Sequence, residues 1–378
     1  MIDWNKYRKE FPHLANQIYL NHAAISPQNL RAKAAVKAFW EERLMKNIEY
    51  WPDAMHQKES LVKKIGQLVH APAENIALIP NTSSGLNVLA LGLDWQPDDR
   101  VLLNDFEFPA NVIPFLNLRR KGVEIDFVHH RNGKILLEDI EKSIHPKTRV
   151  LSISFVEFLN GYRNDLKAIA QMCHERGIIF SVDAIQGLGA LKMDVEAMEI
   201  DFLSTGGHKW LMWPAGLGFI YISPRIFDRI FPAQAGWLSV KTPWNFFDYD
   251  QDFAPDAHRF ETGTFNTGTI VAANATLDMM LEIGPENIEQ KILENTNFLI
   301  KQLSAAGFEL FTDMHPKHWS GIVSFRHQDA EGLFHFLKEK RITVSLREGM
   351  IRISPHFYNN LDDLVYLLEM LNNYNFSN

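Results

Sequence analysis

Short, almost continuous apolar runs alternate with longer stretches of helical periodicity from about residue 60 onward. The runs cover residues 75–79, 100–103, 123–128, 150–154, 178–182, 202–204 and 218–222. Strands buried on both faces show such unbroken runs, and helices between them are typical of a mostly parallel sheet covered on both sides. A helix is predicted clearly over residues 165–176, because Gly177 is a typical helix terminator.

The pattern changes after about residue 265. A long helical region over 270–306 precedes an apolar run at 321–325, a helix at 330–340, short strands at 343–346 and 351–354, and a last helix from Leu361. Helices packed on a small antiparallel sheet would form an α+β unit. We therefore predict an α/β fold with a large domain over residues 16–264 and a smaller C-terminal domain over residues 265–378. Residues 1–15 are expected to pack on the small domain or on a partner subunit.

Composition narrows the class of protein. Hydrophobic residues make up 46% of the chain and charged residues 22%, as in ordinary soluble globular proteins. The net charge of −8 leaves no basic surplus to neutralise phosphates, which argues against a nucleic-acid binder. The N-terminal residues lack the apolar core of a signal peptide, and no apolar run is long enough to span a bilayer. The single cysteine, Cys173, excludes an intramolecular disulfide. We expect a soluble cytoplasmic protein without membrane contact.

A lysine and an aspartate at the ends of two predicted strands are the most informative residues. Asp183 follows the run 178–182, and Lys209 lies 26 positions later in a segment rich in small residues. Ligands of open α/β sheets bind at the carboxyl ends of the strands. A lysine amine can form a Schiff base with the aldehyde of pyridoxal phosphate, and a carboxylate can keep its pyridine nitrogen protonated. The alternatives are a helix N-cap for Asp183 and a surface position for Lys209.

Two further segments could complete a cofactor site. Thr82 and Ser83 follow the first of these strands and open an apolar helical run, where hydroxyls and free amides would suit a phosphate. Ordinary helix capping is the alternative. Phe108 could lie across a flat ring, although a core position is the common one for a phenylalanine. Gln186, just beyond Asp183, can donate to a ring oxygen.

The order, spacing and types of these residues resemble the class V aminotransferase family of fold type I pyridoxal phosphate enzymes. That family includes cysteine desulfurases, selenocysteine lyases, kynureninases and isopenicillin N epimerase-like proteins. The resemblance extends from Tyr19 to Asn359. Its most specific segments are Asp183-Ala184-Ile185-Gln186, Gly207-His208-Lys209 and Arg259-Phe260-Glu261-Thr262-Gly263-Thr264.

The resemblance implies a role for each matching residue. Lys209 and Asp183 would be catalytic, and the cofactor would be held by Thr82, Ser83, Phe108, Asn111, Asp183, Gln186, His208, Lys209 and Thr264. Thr264 would reach the phosphate of the neighbouring subunit, which implies a homodimer with shared active sites. Arg352, together with Arg347, would bind the α-carboxylate of an amino-acid substrate. No metal site is implied.

The chain departs from the desulfurase members of the family in two regions. Met350 and Ile351 occupy the stretch in which desulfurases carry a nucleophilic cysteine, and Cys173 lies in the predicted helix 165–176. Phe158 replaces an asparagine that contacts the cofactor in desulfurases, and Phe108 stands near the position of their histidine. Persulfide-forming sulfur transfer is therefore disfavoured, and the pocket is nearer to the kynureninase and epimerase-like branches.

The sequence thus predicts a pyridoxal phosphate enzyme, an aminotransferase or a lyase, in which Lys209 moves a proton at the substrate Cα. An amino-acid epimerase and a catalytically silent cofactor-binding member are the alternatives. A nucleotide-dependent oxidoreductase is disfavoured, because no Gly-x-Gly-x-x-Gly segment follows an early strand. The substrate side chain stays open, since core packing is expected for Trp237, Trp244, Phe246 and Phe247.

Overall fold

A computed structural model of the chain describes residues 2–377. The strands within this range are β1 (Ile18–Tyr19), β2 (Ile76–Ile79), β3 (Arg100–Asn104), β4 (Glu124–Val128), β5 (Thr148–Ser154), β6 (Ile179–Asp183), β7 (Phe202–Gly206), β8 (Gly218–Ile222), β9 (Glu309–Leu310), β10 (Val323–Arg326), β11 (Ile342–Thr343), β12 (Ser345–Arg347) and β13 (Met350–Ile353). They form a seven-stranded sheet, a four-stranded sheet and the separate pair β1–β11.

The α-helices of the same range are α1 (Trp4–Arg8), α2 (Leu30–Met45), α3 (Trp51–Val69), α4 (Thr82–Gly92), α5 (Ile113–Leu116), α6 (Leu137–Ser143), α7 (Leu166–Glu175), α8 (Thr267–Ile283), α9 (Pro285–Ala305), α10 (Ala330–Glu339) and α11 (Leu361–Ser377). The long helical region predicted over 270–306 is therefore two helices. Gly284, with φ of 90°, ends α8, and Pro285 at the first position of α9 cannot continue the hydrogen-bond ladder of the preceding helix. None of the described helices is long and apolar enough to cross a lipid bilayer.

The seven-stranded sheet has the order β2-β8-β7-β6-β5-β3-β4 and is parallel except for β8, which runs antiparallel to β7 and β2. Alternate residues of each strand point to opposite faces. Leu102 and Leu151 pack with α3, α7 and α8 on one face, whereas Val101 and Val150 pack with α4 and α5 on the other. The apolar runs are continuous because both faces are covered, so the predicted α/β fold with a mostly parallel sheet is confirmed.

The four-stranded sheet is antiparallel, with the order β12-β13-β10-β9, and packs against α9, α10 and α11. Strands β12 and β13 are joined by a two-residue turn, Glu348-Gly349, in which both residues have positive φ, 46° and 71°. Such a turn fits the twist of a hairpin and fixes the register. Arg352 consequently lies in the middle of the sheet, paired with Ser345 on one side and Ser324 on the other.

The N-terminal residues connect the two sheets. Strand β1 pairs in parallel with β11, and the Arg8 guanidinium makes a bidentate ion pair with Asp363. Residues 20–26, which we call the N-terminal strap, then run from the four-stranded sheet to the segment that follows β7 in the seven-stranded one. Ser354 N–H, directly after β13, donates to Leu20 O at 2.7 Å, and Ser26 N–H donates to His208 O at 2.9 Å. The predicted domain division between residues 264 and 265 stays a prediction.

Candidate active site

A cavity of about 570 Å³ opens at the carboxyl ends of the parallel strands. Eight of the predicted site residues line it, namely Thr82, Ser83, Phe108, Gln186, His208, Lys209, Arg347 and Arg352. They come from segments up to 270 positions apart (82 to 352), which the sheet topology and the strap bring together. The cavity is also lined by Ala23 and Ala24 of the strap, by Phe158 and by Glu348.

Lys209 lies in the turn that follows β7 and is 9% exposed. Burial lowers the pKa of its ammonium to about 8, although the nearby Asp183 carboxylate acts in the opposite direction. Its Nζ lies 5.6 Å from the centre of the Phe108 ring. On the order of a tenth of such an amine is neutral at pH 7, so the side chain can act as a nucleophile or as a proton acceptor.

Asp183 is the last residue of β6 and is 2% exposed. Its Oδ1 accepts a hydrogen bond of 3.0 Å from Ile185 N–H. Burial raises the pKa of the carboxyl group to about 6, because few groups around it stabilise the ionised form. A cation placed beside this carboxyl group would keep it ionised, as a protonated pyridine nitrogen would require.

The start of α4 has the features of an anion site. Asn81, not Thr82 or Ser83, caps the helix, because its Oδ1 accepts Ser84 N–H at 2.9 Å. Thr82 Oγ1 is buried and has no hydrogen-bond partner among the described residues. An unpartnered buried hydroxyl at a helix N-terminus, with Ser83 beside it, suits a bound phosphate. His208 completes this end of the cavity, and burial lowers the pKa of its imidazole.

Aromatic and amide side chains border the middle of the cavity. The Phe108 ring is 46% exposed and meets the Phe158 ring edge to face, with centroids 5.4 Å apart. Gln186 is held in place, since its Nε2 donates to Ala23 O at 3.0 Å and its Oε1 accepts from Trp210 Nε1 at 3.1 Å. The amide nitrogen carries two protons, so one remains available to a ligand.

Arg352 forms the other end of the cavity and is 2% exposed. Its Nη1 donates to Phe158 O at 2.5 Å, Nη2 is 3.5 Å from Ser345 Oγ, and Nε has no partner among the described residues. Burial and the neighbouring Arg347 lower the pKa of the guanidinium to about 10, so it stays charged at neutral pH. The Nε–Nη2 edge can therefore receive a carboxylate through two N–H donors. Arg347 lies exposed at the rim.

Three predicted cofactor residues, Asp183, Asn111 and Thr264, are not among the residues that line this cavity. Asn111 is fully buried behind it, where its Oδ1 accepts from Ser152 Oγ at 2.6 Å, and Thr264 is exposed on the surface. The expectation that Trp237, Trp244, Phe246 and Phe247 pack in the core is wrong, because all four are exposed. Phe247 is 87% exposed and lies in a segment without a helix or strand.

Sequence reasoning missed the strap and Glu348 as parts of the cavity lining. The apolar Ala23 and Ala24 carry no chemical signal, although they lie in a segment that resembles the family. Glu348 could have been noticed, because it adjoins Arg347 and precedes a glycine that permits a tight turn. Among the described residues, Glu348 supplies the carboxylate side chain in the lining of the cavity.

The chain is similar to known proteins both in sequence and in structure. The family model for class V aminotransferases matches residues 18–367. An uncharacterised aminotransferase, YcbU of Bacillus subtilis, is 26% identical, with 96% of both chains covered. The apo structure of a cysteine desulfurase from Thermococcus onnurineus NA1 matches with a TM-score of 0.89 and 24% identity over 98% of both chains. The structure of the cystine C–S lyase C-DES with cysteine persulfide matches with a TM-score of 0.88 and 23% identity, over 96% of this chain and 98% of that one.

Proposed function

We propose that this chain, which belongs to the class V aminotransferase family and is a pyridoxal phosphate-dependent aminotransferase or lyase, acts on a free α-amino acid by moving its Cα proton with Lys209. The observation that carries the proposal is that Lys209 and Arg352 line one cavity, with the buried Asp183 carboxylate near enough to Lys209 to affect its pKa. Lys209 presents a buried amine there, and Arg352 presents an Nε that has no hydrogen-bond partner among the described residues.

The residues present fit the cofactor. Thr82, Ser83, His208 and the start of α4 would hold its phosphate, and the unpartnered Thr82 hydroxyl supports this assignment. Asp183 would pair with the pyridine nitrogen, Phe108 would cover one face of the ring, and the remaining N–H of Gln186 would reach a ring oxygen. When bound, pyridoxal phosphate takes up the electrons released at the substrate Cα.

The protein's own groups would orient and deprotonate the substrate. Arg352 would bind the α-carboxylate through two parallel hydrogen bonds, which fixes the direction of the bonds at Cα. The Lys209 amine, with its lowered pKa, would accept the Cα proton and return it later in the reaction. Partial burial of the cavity would strengthen both interactions by limiting access of water.

Transfer of sulfur to a cysteine of this chain is not part of the proposal. Cys173, its single cysteine, is buried in α7, and burial raises the pKa of its thiol to about 12. The turn Glu348-Gly349 has no room for a cysteine-bearing loop between β12 and β13. A lyase of this kind would release its product into solution. The aminotransferase is the second candidate, supported by the relative YcbU.

The visible spectrum of the cofactor-loaded protein tests this proposal while amino acids are added without a keto acid. We expect an absorption band that depends on Lys209. Conversion of the cofactor to pyridoxamine phosphate would identify an aminotransferase. A band that persists while the amino acid is consumed would identify a lyase, and one that persists while the amino acid is inverted would identify an epimerase. Absence of any Lys209-dependent band, or a band that no amino acid changes, would contradict the proposal and favour a silent member of the family.

A homodimer is a further part of the proposed function. Helix α2 buries only Ala32 among its described residues, whereas Leu44 and Met45 are largely exposed. Thr264 lies outside its own cavity, where a second subunit could receive it. Thr264→Ala should weaken cofactor binding without changing the molar mass in solution. A monomeric wild-type protein that binds the cofactor fully would contradict this part. The cytoplasmic location stays a prediction.

A further inference from the structure

Two buried glutamates precede the two phenylalanines at the cavity. Glu107 and Glu157 follow β3 and β5, and the next residues are Phe108 and Phe158, whose rings touch. Neither glutamate lines the cavity. Asn104 lies between them, with its Nδ2 2.9 Å from Glu107 Oε1 and 3.5 Å from Glu157 Oε1. One amide group therefore bridges the carboxyl groups that hold the two loops.

Glu107 connects its loop to the strand beside Asp183. Its Oε1 accepts Ser154 N–H at 2.6 Å, and its Oε2 lies 2.5 Å from Ser154 Oγ. Ser154 is the register partner of Asp183 in the β5–β6 pair, and the next residue, Phe155, donates its N–H to Asp183 O. The loop that carries Phe108 is thereby fixed relative to Asp183.

Glu157 connects the second loop to the arginine. Asn164 Nδ2 donates to Glu157 Oε1 at 2.9 Å, and Glu157 N–H donates to Tyr162 O at 2.9 Å. These bonds hold the loop that presents Phe158 O to the guanidinium of Arg352. The Glu157 Oε2 atom is buried without a hydrogen-bond partner among the described residues, so an ionised carboxylate would be poorly compensated there.

The electrostatics of the cluster favour neutral carboxyl groups. Burial raises the pKa of Glu107 to about 7 and that of Glu157 well above its ordinary value. The negative charge of Asp183 raises the pKa of both glutamates, and the charge of Glu107 further raises the pKa of Glu157. Hydrogen bonds from Ser154, Asn164 and Asn104 to the carboxyl groups lower these pKa values in part. At least one proton is therefore retained at neutral pH, which prevents repulsion between two adjacent carboxylates.

We propose that Glu107 and Glu157, bridged by Asn104, are positioning residues that set the directions of Phe108 and Phe158 and, through Phe158 O, the guanidinium of Arg352. The identity of the ligands that these groups contact rests on the proposed function. The cluster thus acts on the substrate without touching it. Its loss should weaken binding of an α-carboxylate more than it slows turnover.

The test compares Glu157→Ala with Glu157→Gln in the cofactor-loaded protein. The alanine variant should raise the Kd of an amino acid about tenfold by releasing Phe158 and Arg352, with a much smaller change in kcat. Glutamine keeps the size and the neutral form, so it should restore the wild-type Kd. Visible circular dichroism of the bound cofactor, which reports the asymmetry imposed by Phe108 and by the Phe158 ring packed against it, should change in the alanine variant alone.

A matched ligand and a second variant make the test decisive. The amine that corresponds to the amino acid without its carboxylate does not need Arg352. Its Kd should therefore be the same for wild type and Glu157→Ala. If Glu157→Ala does not fold, Asn104→Ser removes the same bridge and should have the same effects. Equal Kd values and spectra for the alanine and glutamine variants, or equal weakening of the amine and the amino acid, overturn the proposal. A wild-type protein that binds no amino acid refutes the proposed function instead. In that case the role of Glu157 is tested by whether the circular dichroism of the bound cofactor changes in Glu157→Ala and not in Glu157→Gln.

Discussion

Replacement of Arg352 by lysine tests how the cavity selects an amino acid. The guanidinium keeps Nη1 bonded to Phe158 O and leaves Nε and Nη2 on one edge. A lysine retains the charge but has no planar fork, so it cannot contact Phe158 and offer two parallel donors to a carboxylate at once. We expect Arg352→Lys to bind the cofactor normally and the amino acid weakly.

The size of the effect follows from the contacts that are lost. One charge-assisted hydrogen bond contributes about 1.5–3 kcal/mol, which corresponds to a factor of about 10 to 150 in Kd. The Arg352 side chain is almost completely buried, so water cannot replace the missing donor easily. We therefore expect a Kd increase of at least about tenfold.

Spectral titration of the loaded protein with an amino acid and with the corresponding amine measures this difference. The amine has no carboxylate, so wild type and Arg352→Lys should bind it with similar affinity. Arg352→Leu should weaken the amino acid further, because it also removes the charge. A change of less than about threefold for the amino acid, or the same change for the amine, would refute the assignment of Arg352 as the carboxylate receptor.

Three more predictions concern the cofactor site and the buried acids. Lys209→Ala should remove both turnover and the visible band of the covalently held cofactor, and a fully active variant would contradict the role of Lys209. Thr82→Val should raise the cofactor Kd about tenfold, measured by quenching of tryptophan fluorescence in the apoprotein, whereas Thr82→Ser should not. Burial raises the pKa of Glu107 from 4.5 to about 7, so the folded state holds this proton more tightly than the unfolded chain. Glu107 should therefore add its full stabilisation to the free energy of unfolding below pH 4.5, and this stabilisation should be lost as the pH rises to about 7. Urea unfolding of Glu107→Gln should lack this part of the pH dependence, and an unchanged dependence would show that other groups cause it.

The parallel sheet and the groups at its edge could be predicted because their signals are local. A strand buried on both faces requires an unbroken apolar run, and the polar residue that follows it, such as Asp183, must lie at the carboxyl edge. The helix that begins at Thr82 was likewise visible from its small polar residues. Sequence reasoning did not identify Asn81 as the cap, because several adjacent residues can serve as one.

The remaining features depend on contacts between distant segments. The hydrogen bond between Arg352 and Phe158 O joins residues 194 positions apart, and no periodicity indicates it. Strand β1 has two residues and pairs with β11 more than 300 positions away, so neither strand has a pattern of its own. The exposure of Phe247 was also unpredictable, since an apolar residue normally indicates burial.

The N-terminal strap has a mechanical consequence. Its first residues are bonded to the sheet that carries Arg352, whereas its last residues are bonded to Gln186 and His208 beside the lysine. A rotation that separated the two sheets would have to stretch this short tether or break its hydrogen bonds. Seven residues of continuous backbone thus hold Arg352 and Lys209, at the two ends of the cavity, at a fixed spacing.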